Sequence, residues 1–406
     1  MLCPSTVRTY RKVYAIYALT FLILLPILCN ELPYSKYYTH DRSKRREEDA
    51  RRVEAENQER VAAAKFYLKQ NGPYSRTFRQ LRHRLERKSK PELVITVVTV
   101  ARKSGGESRP GPQYLTQVVA KFAELLTQQE NVVFQVCNVN TPPEGHREAV
   151  YLSRYVPVIS RNSSSAEPVP TSAHIHKFEK EKQDYVFCME RSLELQPDHI
   201  LMIQDDAVPR TDFFPVFQHL LKYNVEGKIV SGDLQPNPEK WAFWKLYYPE
   251  RWQGYGNEEK LLLELICSGL IGGGLFVALN CGGFTERDSR RRTMVFVLGF
   301  FYAVLLCLAI GRQYLIELRR LSVHTYAVVD APDCCIPAVL YSPEQAAAIV
   351  QYLKGQTCSS LLPIDLALDN YVHSSGLKQY LVEPNLFHHI GIVSTLHAGI
   401  KNPVDF

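Results

Sequence analysis

The chain has 406 residues, of which 46% are apolar and 11% aromatic, enough for one large globular domain or two ordinary ones. Its formal net charge of +6 is uneven, because residues 41–90 carry 16 Lys and Arg against 8 Asp and Glu and leave about −2 for the rest. Since this basic segment is mixed with acids and follows an apolar run, the composition argues against a nucleic-acid-binding protein.

An uncharged apolar run, residues 13–30, predicts a transmembrane anchor, because its 18 residues are enough to cross a bilayer. Three basic side chains precede the run within residues 1–12, so the positive-inside rule predicts a cytosolic tail and a lumenal remainder. A cleaved signal peptide is the alternative. The run is long for one, however, and Cys29-Asn30-Glu31 is a poor cleavage site.

Residues 31–90 are predicted to form a lumenal helical stem. The stretch from Asp41 to Gln70 is rich in Arg, Glu, Ala and Lys and has neither Gly nor Pro, which is typical of a solvated helix. Opposite charges four residues apart, such as Glu47 and Arg51, favour this helix, and Asn71-Gly72-Pro73 ends it. A helix on the membrane surface is the alternative, although no apolar face is evident.

A globular domain is predicted to begin at residue 91, and its first part extends to residue 260. Leu93 to Val100 is almost wholly apolar, as in a strand buried on both faces. A polar loop, a helix from Tyr114 to Gln129 and a second strand from Val132 to Val139 follow. This βαβ unit predicts an α/β domain with a mostly parallel sheet. The one glycosylation sequon, at Asn162, agrees with a lumenal location.

A helix from Phe178 to Leu195 leads to the apolar run Ile200 to Ile203, which stops at Gln204-Asp205-Asp206. The two carboxylates therefore fall at the C-terminal end of a buried strand, where ligands bind in open α/β sheets. Adjacent acids at that position can hold a divalent cation, and the cation can hold a diphosphate. An ordinary strand-to-loop turn, in which Asp is common, is the alternative for this triplet taken by itself.

Two further apolar segments interrupt the globular sequence, Leu261 to Asn280 and Thr293 to Gly311. Their length and all-round apolar character predict a transmembrane hairpin over residues 261–311 rather than a soluble helical pair. The turn, residues 281–292, carries four Arg, as the positive-inside rule requires of a cytosolic turn. Four Gly in the first segment would let the two helices approach closely. Glu264, near a span end, is expected to snorkel, and binding of a lipid headgroup is the alternative.

The second part of the globular domain is predicted over residues 312–406. Tyr326 to Asp330 and Tyr380 to Glu383 have the composition of strands. Ser342-Pro343-Glu344 opens a helix that runs to about Leu353, with Pro at its first position and Glu in its first turn.

Five of the ten cysteines fall in the predicted lumenal part, where the environment is oxidising. They are Cys137, Cys188, Cys334, Cys335 and Cys358. Their spacing is not that of a zinc site. Because five is an odd number, at least one stays free or pairs outside this set. We expect a bridge between Cys358 and one of the vicinal pair.

Several motifs occur in order along the chain: Phe178 to Tyr185, Gln204 to Pro209, Lys245 to Arg251, the apolar hairpin, Arg319 to Ser322, Cys334-Cys335 and Val382 to Gly391. Their combination resembles the post-GPI-attachment N-acetylgalactosaminyltransferases of the Golgi. The resemblance implies a GT-A (Rossmann-like) glycosyltransferase domain with an N-terminal transmembrane helix and an inserted transmembrane hairpin. It also implies transfer of GalNAc from UDP-GalNAc to the first mannose of the GPI-anchor core, with Mn²⁺ as cofactor.

The same resemblance implies partners and a location. GPI-anchored proteins and the GPI glycolipid would be the acceptors, and three transmembrane helices would hold the protein in the lipid bilayer. The protein would be a multi-pass protein of the Golgi membrane, with a cytosolic N-terminus and a lumenal catalytic domain. No nucleic-acid partner is expected.

The metal and donor residues follow from the family's motifs. Gln204, Asp205 and Asp206 match a Glu-Asp-Asp triplet in which the last acid ligates the metal, so Asp206 is the predicted metal ligand. Gln at the first position departs from the family; it can still accept a hydrogen bond but brings no charge. His389 matches a C-terminal His that returns to the metal or the diphosphate.

Two further sets of residues resemble segments of related enzymes, and we expect contacts with the nucleotide from both. Thr99 and Arg102 follow the first strand and resemble the nucleotide-contacting turn, and Gln183, Asp184 and Tyr185 resemble the stretch that precedes the metal strand. A charged helix end is the alternative explanation for the second set.

Inversion at the anomeric carbon needs a carboxylate base for the acceptor hydroxyl. The segment around Asp365 resembles the stretch that holds the base in related inverting enzymes, and Asp365 is the predicted catalytic residue. Asp369 and Glu250 are the other candidates. An N-cap of the following helix is an equally simple role for Asp365.

Two other functions fit the sequence. The first is a glycosyltransferase for a different lumenal glycan, although the hairpin argues against it because acceptors facing the aqueous lumen need only the anchor. The second is a non-catalytic membrane scaffold for GPI proteins with a decayed site, and Gln204 is the feature that favours it.

Overall fold

The computed structural model describes residues 4–38, 42–86, 89–102, 111–161, 173–222, 241–256, 259–279 and 289–393. The sequon at Asn162 and the hairpin turn up to residue 288 lie outside these ranges. The chain forms two compact units. We call Met1–Glu48, Pro249–Leu318 and Val404–Phe406 the membrane unit, and Asp49–Tyr248 with Arg319–Pro403 the sheet unit.

The strands all belong to the sheet unit. In chain order they are β1 (Leu93–Thr99), β2 (Val132–Asn138), β3 (Val158–Ser160), β4 (His199–Gln204), β5 (Ala207–Pro209), β6 (Trp241–Lys245), β7 (Ala327–Asp330), β8 (Ala338–Tyr341), β9 (Lys378–Glu383) and β10 (Phe387–His389).

The helices of both units are, in chain order, α1 (Pro4–Leu19), α2 (Leu25–Leu28), α3 (Arg42–Asn71), α4 (Arg76–Glu86), α5 (Tyr114–Leu125), α6 (Arg147–Leu152), α7 (Ala173–Leu193), α8 (Phe213–Leu220), α9 (Glu259–Leu279), α10 (Ser289–Ile310), α11 (Arg312–Leu315), α12 (Pro343–Lys354) and α13 (Ile364–Ser375). A π-helical turn, Thr20–Leu24, joins α1 to α2 without a break. Short 3₁₀ helices occur at Leu126–Gln128, Pro143–Gly145, Glu250–Trp252, Ile316–Leu321 and Val323–Thr325.

One mixed sheet of eight strands forms the centre of the sheet unit, in the order β3-β2-β1-β4-β8-β6-β9-β7. Strands β3, β2, β1 and β4 are parallel, as the βαβ pattern predicts. Beyond β4, strand β8 runs antiparallel to both of its neighbours and β7 runs antiparallel to β9. The prediction of a mostly parallel sheet therefore holds for the half of the sheet from β3 to β4, whereas the half from β8 to β7 is mixed. A separate antiparallel ribbon pairs β10 with β5.

The apolar runs of the parallel strands are explained by a core on each face of the sheet. In β4, Leu201 and Ile203 pack into one buried cluster, whereas Ile200 and Met202 pack into the other. Side chains alternate between the faces of a strand, so a strand that is covered on both sides is apolar at every position. Burial on both faces leaves polar side chains for the ends of the strands, where the candidate site lies.

Much of the predicted stem packs on the sheet unit. Ala64 and Leu68 of α3 and Phe78 and Leu81 of α4 are buried in the same core cluster as β1 and β2. Their spacings of four and three residues place each pair on one helix face. The expectation of a solvated helix thus missed a narrow apolar stripe within a strongly charged sequence.

Among its described residues, the membrane unit contains three helical segments that are long and apolar enough to cross a membrane, Arg11–Leu28, Glu259–Leu279 and Ser289–Ile310. They correspond to the predicted anchor and hairpin. Helices α9 and α10 approach so closely at Gly272 that a Cβ there would lie 2.3 Å from Ala303 Cβ. Small residues allow such contacts between membrane helices, as the glycine pattern predicted.

Glu264 forms an ion pair rather than extending towards lipid. Its Oε2 lies 3.0 Å from Nε and 2.9 Å from Nη2 of Arg312, which is buried. The pair joins the second turn of α9 to the first residue of α11, two residues after the end of α10. A charge at a span end is therefore satisfied within the protein, as expected for ionisable groups near the hydrocarbon core.

The predicted cysteine bridge is wrong. Cys334 bonds to its neighbour Cys335, and Cys137 in β2 bonds to Cys188 in α7. Cys358 is a buried free thiol. Spacing along the chain did not reveal that β2 and α7 face each other, nor that two adjacent cysteines can bond when the backbone turns sharply.

Candidate active site

Three segments of the sheet unit converge at the C-terminal end of β4. Strand β1 runs beside β4 with Val98 paired to Gln204, so Thr99 and Arg102 follow at the same edge. The ribbon pairs His389 with Ala207, which brings the C-terminal region back to the acids. The short loop after β4 therefore lies between the segment that follows β1 and the C-terminal strand β10.

Asp205 is buried and is held by a chain of hydrogen bonds. Its Oδ2 accepts a 2.7 Å hydrogen bond from Thr99 Oγ1, and that hydroxyl lies 2.8 Å from His146 Nε2. Because the hydroxyl proton goes to the carboxylate, Thr99 accepts from His146, whose Nε2 therefore carries the proton. Burial lowers the pKa of His146, which favours this neutral form.

Arg102 connects both acids. Its Nη2 donates to Asp205 Oδ1 and lies 2.8 Å from Asp206 Oδ2, while Nη1 donates to the carbonyl of Val393 over 2.5 Å. The guanidinium also lies 5.1 Å from the centre of the Tyr114 ring. Although burial alone would lower the pKa of Arg102, the two acids raise it above its ordinary value. A positive charge is thus fixed at the carboxylate pair.

Asp206 is packed against the C-terminal segment. Its carbonyl accepts a 2.8 Å hydrogen bond from Ile390 N, and its Oδ2 lies 3.4 Å from His389 Nε2. Tyr247 stacks on the His389 ring at 5.6 Å. A Cβ at Gly391 would lie only 1.9 Å from Asp206 Oδ2, so only glycine leaves room for this carboxylate.

Asp206 is ionised in this environment. Burial by itself would favour the protonated acid, but the charges of Arg102 and His389 outweigh it and hold the pKa of Asp206 well below its ordinary value. The carboxylate therefore remains an anion throughout the range in which proteins are normally assayed.

The residues at this edge fit a divalent cation that also binds a diphosphate. In the described part of the chain, no group of three or more His, Cys, Asp and Glu side chains is arranged to hold a metal ion by itself. Such cations, however, are commonly held by one or two carboxylates plus substrate phosphates. Asp206 Oδ1 is buried and no described group hydrogen-bonds to it. Asp206 supplies a carboxylate, and the imidazole of the neighbouring His389 is a suitable second ligand in its neutral form.

The other residues predicted to contact the nucleotide lie further along the edge of the sheet. Gln204 is half-buried and its backbone N–H donates to the carbonyl of Pro337 over 2.8 Å. Asp184 in α7 accepts hydrogen bonds from Arg161 and Lys180, and Arg161 also donates to Gln183. Both side chains thus contact Arg161, and none of their described contacts is with Asp205 or Asp206.

The three base candidates are placed differently. Asp365 lies in the first turn of α13, where Oδ2 accepts from Cys335 N over 3.4 Å and Oδ1 accepts from Leu366 N. Pro363 is the N-cap, so the suggested capping role for Asp365 is wrong. Asp369, one turn further, is buried beside Lys245. Glu250 lies in the membrane unit.

Sequence reasoning missed three residues that shape the site. His146 has no motif around it and reaches Thr99 only through the fold. Tyr114 accepts hydrogen bonds on its hydroxyl from Ile392 N and Val393 N, fixing the segment that Arg102 contacts. Gly391 is the last residue of the motif Val382 to Gly391, but its role depends on the missing Cβ.

Buried paired acids and an arginine at the C-terminal end of a central parallel strand form a candidate site at the place where open α/β sheets bind their ligands. Residues 93–388 match the family model described as GPI-N-acetylgalactosamine transferase PGAP4. The match covers most of the chain, so the protein belongs to this family. The matched range contains both acids, Arg102 and the hairpin.

Proposed function

We propose that this protein transfers GalNAc from UDP-GalNAc to the first mannose of the GPI-anchor core, with inversion at the anomeric carbon. The observation that carries the proposal is the pair Asp205 and Asp206, buried at the end of β4 and bridged by Arg102. Together with a divalent cation, these carboxylates and the fixed arginine are suited to a donor such as a nucleoside diphosphate sugar.

On the donor side, Asp206 with His389 would hold a divalent cation, for which Mn²⁺ is the proposed ion. Such a cation would neutralise the diphosphate that departs. Arg102 can contribute a second positive charge to the same phosphates. Thr99 and His146 keep Asp205 in place, and Gln183 and Asp184 are proposed to contact the nucleotide from α7.

On the acceptor side, we assign Asp365 as the general base. It lies in the first turn of α13, and the backbone that contacts it leads directly into β8 beside the end of β4. The carboxylate would take the proton from the mannose hydroxyl as that oxygen attacks the anomeric carbon. Asp369 is less suited to this task because it is buried against Lys245.

The membrane segments give the proposal its topology. Residues 1–12 would lie in the cytosol, 13–30 and 261–311 in the Golgi membrane with the turn at 281–292 cytosolic, and the rest in the lumen. Residues 31–90, 91–260 and 312–406 would then be the lumenal stem and the two parts of the catalytic domain. A hairpin inserted within the catalytic domain's chain suits an acceptor that is itself anchored in lipid.

Release of UDP from UDP-GalNAc by the purified protein tests the donor assignment. The wild-type protein should release UDP only with a divalent cation, and Asp206→Ala should abolish this release. Release that is unchanged by chelation or in Asp206→Ala would refute the metal site. Asp365→Ala should lose transfer but keep UDP-GalNAc binding, and transfer that persists would remove Asp365 as the base.

Gln204 provides a second comparison. If the missing charge weakens the site, Gln204→Glu should raise the rate of UDP release. No UDP release from any UDP-sugar, with or without a GPI acceptor, would favour the non-catalytic scaffold instead.

A further inference from the structure

The loop that precedes β8 is an unusual piece of backbone next to the candidate base. Cys334 and Cys335 form a disulfide and both have left-handed backbone angles, with φ of 85° and 69°. Residues with a Cβ rarely adopt this conformation, and two in succession are rarer still. A loop of this kind would relax towards extended backbone unless something holds it.

The two amide groups of this loop contact two carboxylates on one helix. Cys334 N donates to Asp369 Oδ2 over 2.8 Å, and Cys335 N donates to Asp365 Oδ2 over 3.4 Å. The two acids are four residues apart and lie one helical turn apart along α13. The left-handed backbone therefore directs successive N–H groups to the same side, where each receives one acid.

A buried lysine anchors the loop from the interior. Lys245 in β6 has no exposed surface, and its ammonium group lies 2.7 Å from the carbonyls of Pro332 and Cys334 and 3.5 Å from Asp369 Oδ1. An ammonium group has three protons, so these three oxygens satisfy it completely. Removing any one contact would leave a buried charge short of a partner.

The loop is also fixed to the donor edge of the sheet. Pro337, two residues after the disulfide, accepts a hydrogen bond from Gln204 N over 2.8 Å. One short segment thus contacts the residue before the paired acids at one end and Asp365 at the other. Any change in the backbone of Cys334 and Cys335 would move Asp365 relative to Asp205 and Asp206.

We infer that the Cys334–Cys335 loop is the positioning element for Asp365, and that Lys245 anchors it. This inference rests on the proposed function, in which Asp365 is the base. The loop touches neither donor nor acceptor in this account. It fixes the distance between the base and the donor site, so its loss should affect the chemical step and not the binding of UDP-GalNAc.

The test compares GalNAc transfer by the wild-type full-length protein and by Cys334→Ser/Cys335→Ser in detergent. The variant should lose about ten-fold or more in kcat while its KM for UDP-GalNAc stays within about two-fold. A kcat within about three-fold of the wild-type value, or a rise in KM with kcat unchanged, would overturn the inference.

A matched control is the other disulfide of the sheet unit. Cys137→Ser/Cys188→Ser removes a fully buried crosslink between β2 and α7 and should lower the thermal midpoint while leaving kcat within about three-fold. An equal fall of kcat in both double variants would mean that any lost crosslink has the same effect. That result would contradict a specific role for the vicinal pair.

Reduction of the wild-type enzyme keeps the test decisive if the variant does not fold. Cys334 and Cys335 are half-exposed, whereas Cys137 and Cys188 are fully buried. A dithiol should therefore reduce the vicinal disulfide first, and in doing so it passes two electrons and two protons to that bond. Differential alkylation and mass spectrometry would confirm which bond opened. We expect kcat to fall and to recover on reoxidation. Full activity with the bond open would refute the inference. Absence of GalNAc transfer by the untreated enzyme would refute the proposed function and, with it, this inference.

Discussion

Gly391→Ala is the smallest change that should disable the donor site. The backbone of Gly391 does not need glycine's conformational freedom, because its φ lies outside the left-handed range. The added Cβ, however, would lie 1.9 Å from Asp206 Oδ2, where ordinary contacts begin at 3.4 Å. The carboxylate would therefore have to move by about 1.5 Å, away from its positions beside His389 and Arg102.

The expected loss follows from this displacement. A misplacement of about 1 Å in a catalytic group can cost on the order of 100-fold in rate, which corresponds to about 2.7 kcal/mol in activation free energy. We expect Gly391→Ala to reduce kcat/KM for UDP release by about that factor. The folded fraction should change little, since the strain can be relieved by moving one carboxylate.

Gly355→Ala is the matched control. Gly355 follows α12 in the same unit, has a φ of −81°, and its nearest contact for a Cβ is the carbonyl of Tyr352 at an ordinary 3.4 Å. The assay is initial-rate UDP release from UDP-GalNAc by both purified variants, with thermal midpoints measured in parallel. If Gly391→Ala retains activity within about three-fold of Gly355→Ala while remaining folded, the packing argument for Asp206 is refuted.

Three other changes test separate parts of the structure. Burial raises the pKa of Glu148 to about 7. The folded state therefore binds an extra proton between about pH 4.5 and 7, and its stability falls as the pH rises through this range, by at most about 3 kcal/mol. Glu148→Gln should flatten the pH dependence of the thermal midpoint, and an unchanged slope would contradict this. Gly272→Leu should separate the hairpin helices and lower stability by about 1–3 kcal/mol. Gly274→Leu should not, because a Cβ at Gly274 meets nothing within 4 Å. Equal thermal midpoints of the two variants would count against the predicted contact between the helices. His146→Leu should lower the rate of UDP release about ten-fold, because Thr99 loses its hydrogen-bond partner. His146→Gln should recover part of this rate by restoring a hydrogen-bond donor. Identical rates in the two variants would show that His146 does not act through Thr99.

The first part of the sheet could be predicted because its signal is local. Strands β1, β2 and β4 are buried on both faces, so their sequences are continuously apolar and easily recognised. Strands β6 and β8 are also buried on both faces, but they have only five and four residues, and so short an apolar run does not distinguish a strand from a buried helical segment. Trp241–Lys245 ends in a lysine that is fully buried, and nothing in the sequence indicates the carbonyls that accept its hydrogen bonds.

The candidate site was recognisable only in part, for a similar reason. Asp205 and Asp206 are adjacent in sequence and end an apolar strand, so their position follows from the pattern. His146 and Gly391 join the site through tertiary contacts across the domain. The pairing of Cys334 with Cys335 depends on two left-handed residues, which no periodicity of hydrophobic residues can reveal.

The most direct test of the central claim is transfer of GalNAc to a GPI acceptor by the purified protein. Wild-type protein and Asp206→Asn would be incubated in detergent with UDP-GalNAc, Mn²⁺ and a GPI-anchored acceptor, and the glycan would be analysed by mass spectrometry and glycosidase digestion. We predict one N-acetylhexosamine on the first mannose with the wild-type protein and none with Asp206→Asn. An acceptor glycan that stays unmodified by active wild-type protein, or that is modified equally by Asp206→Asn, would contradict the account.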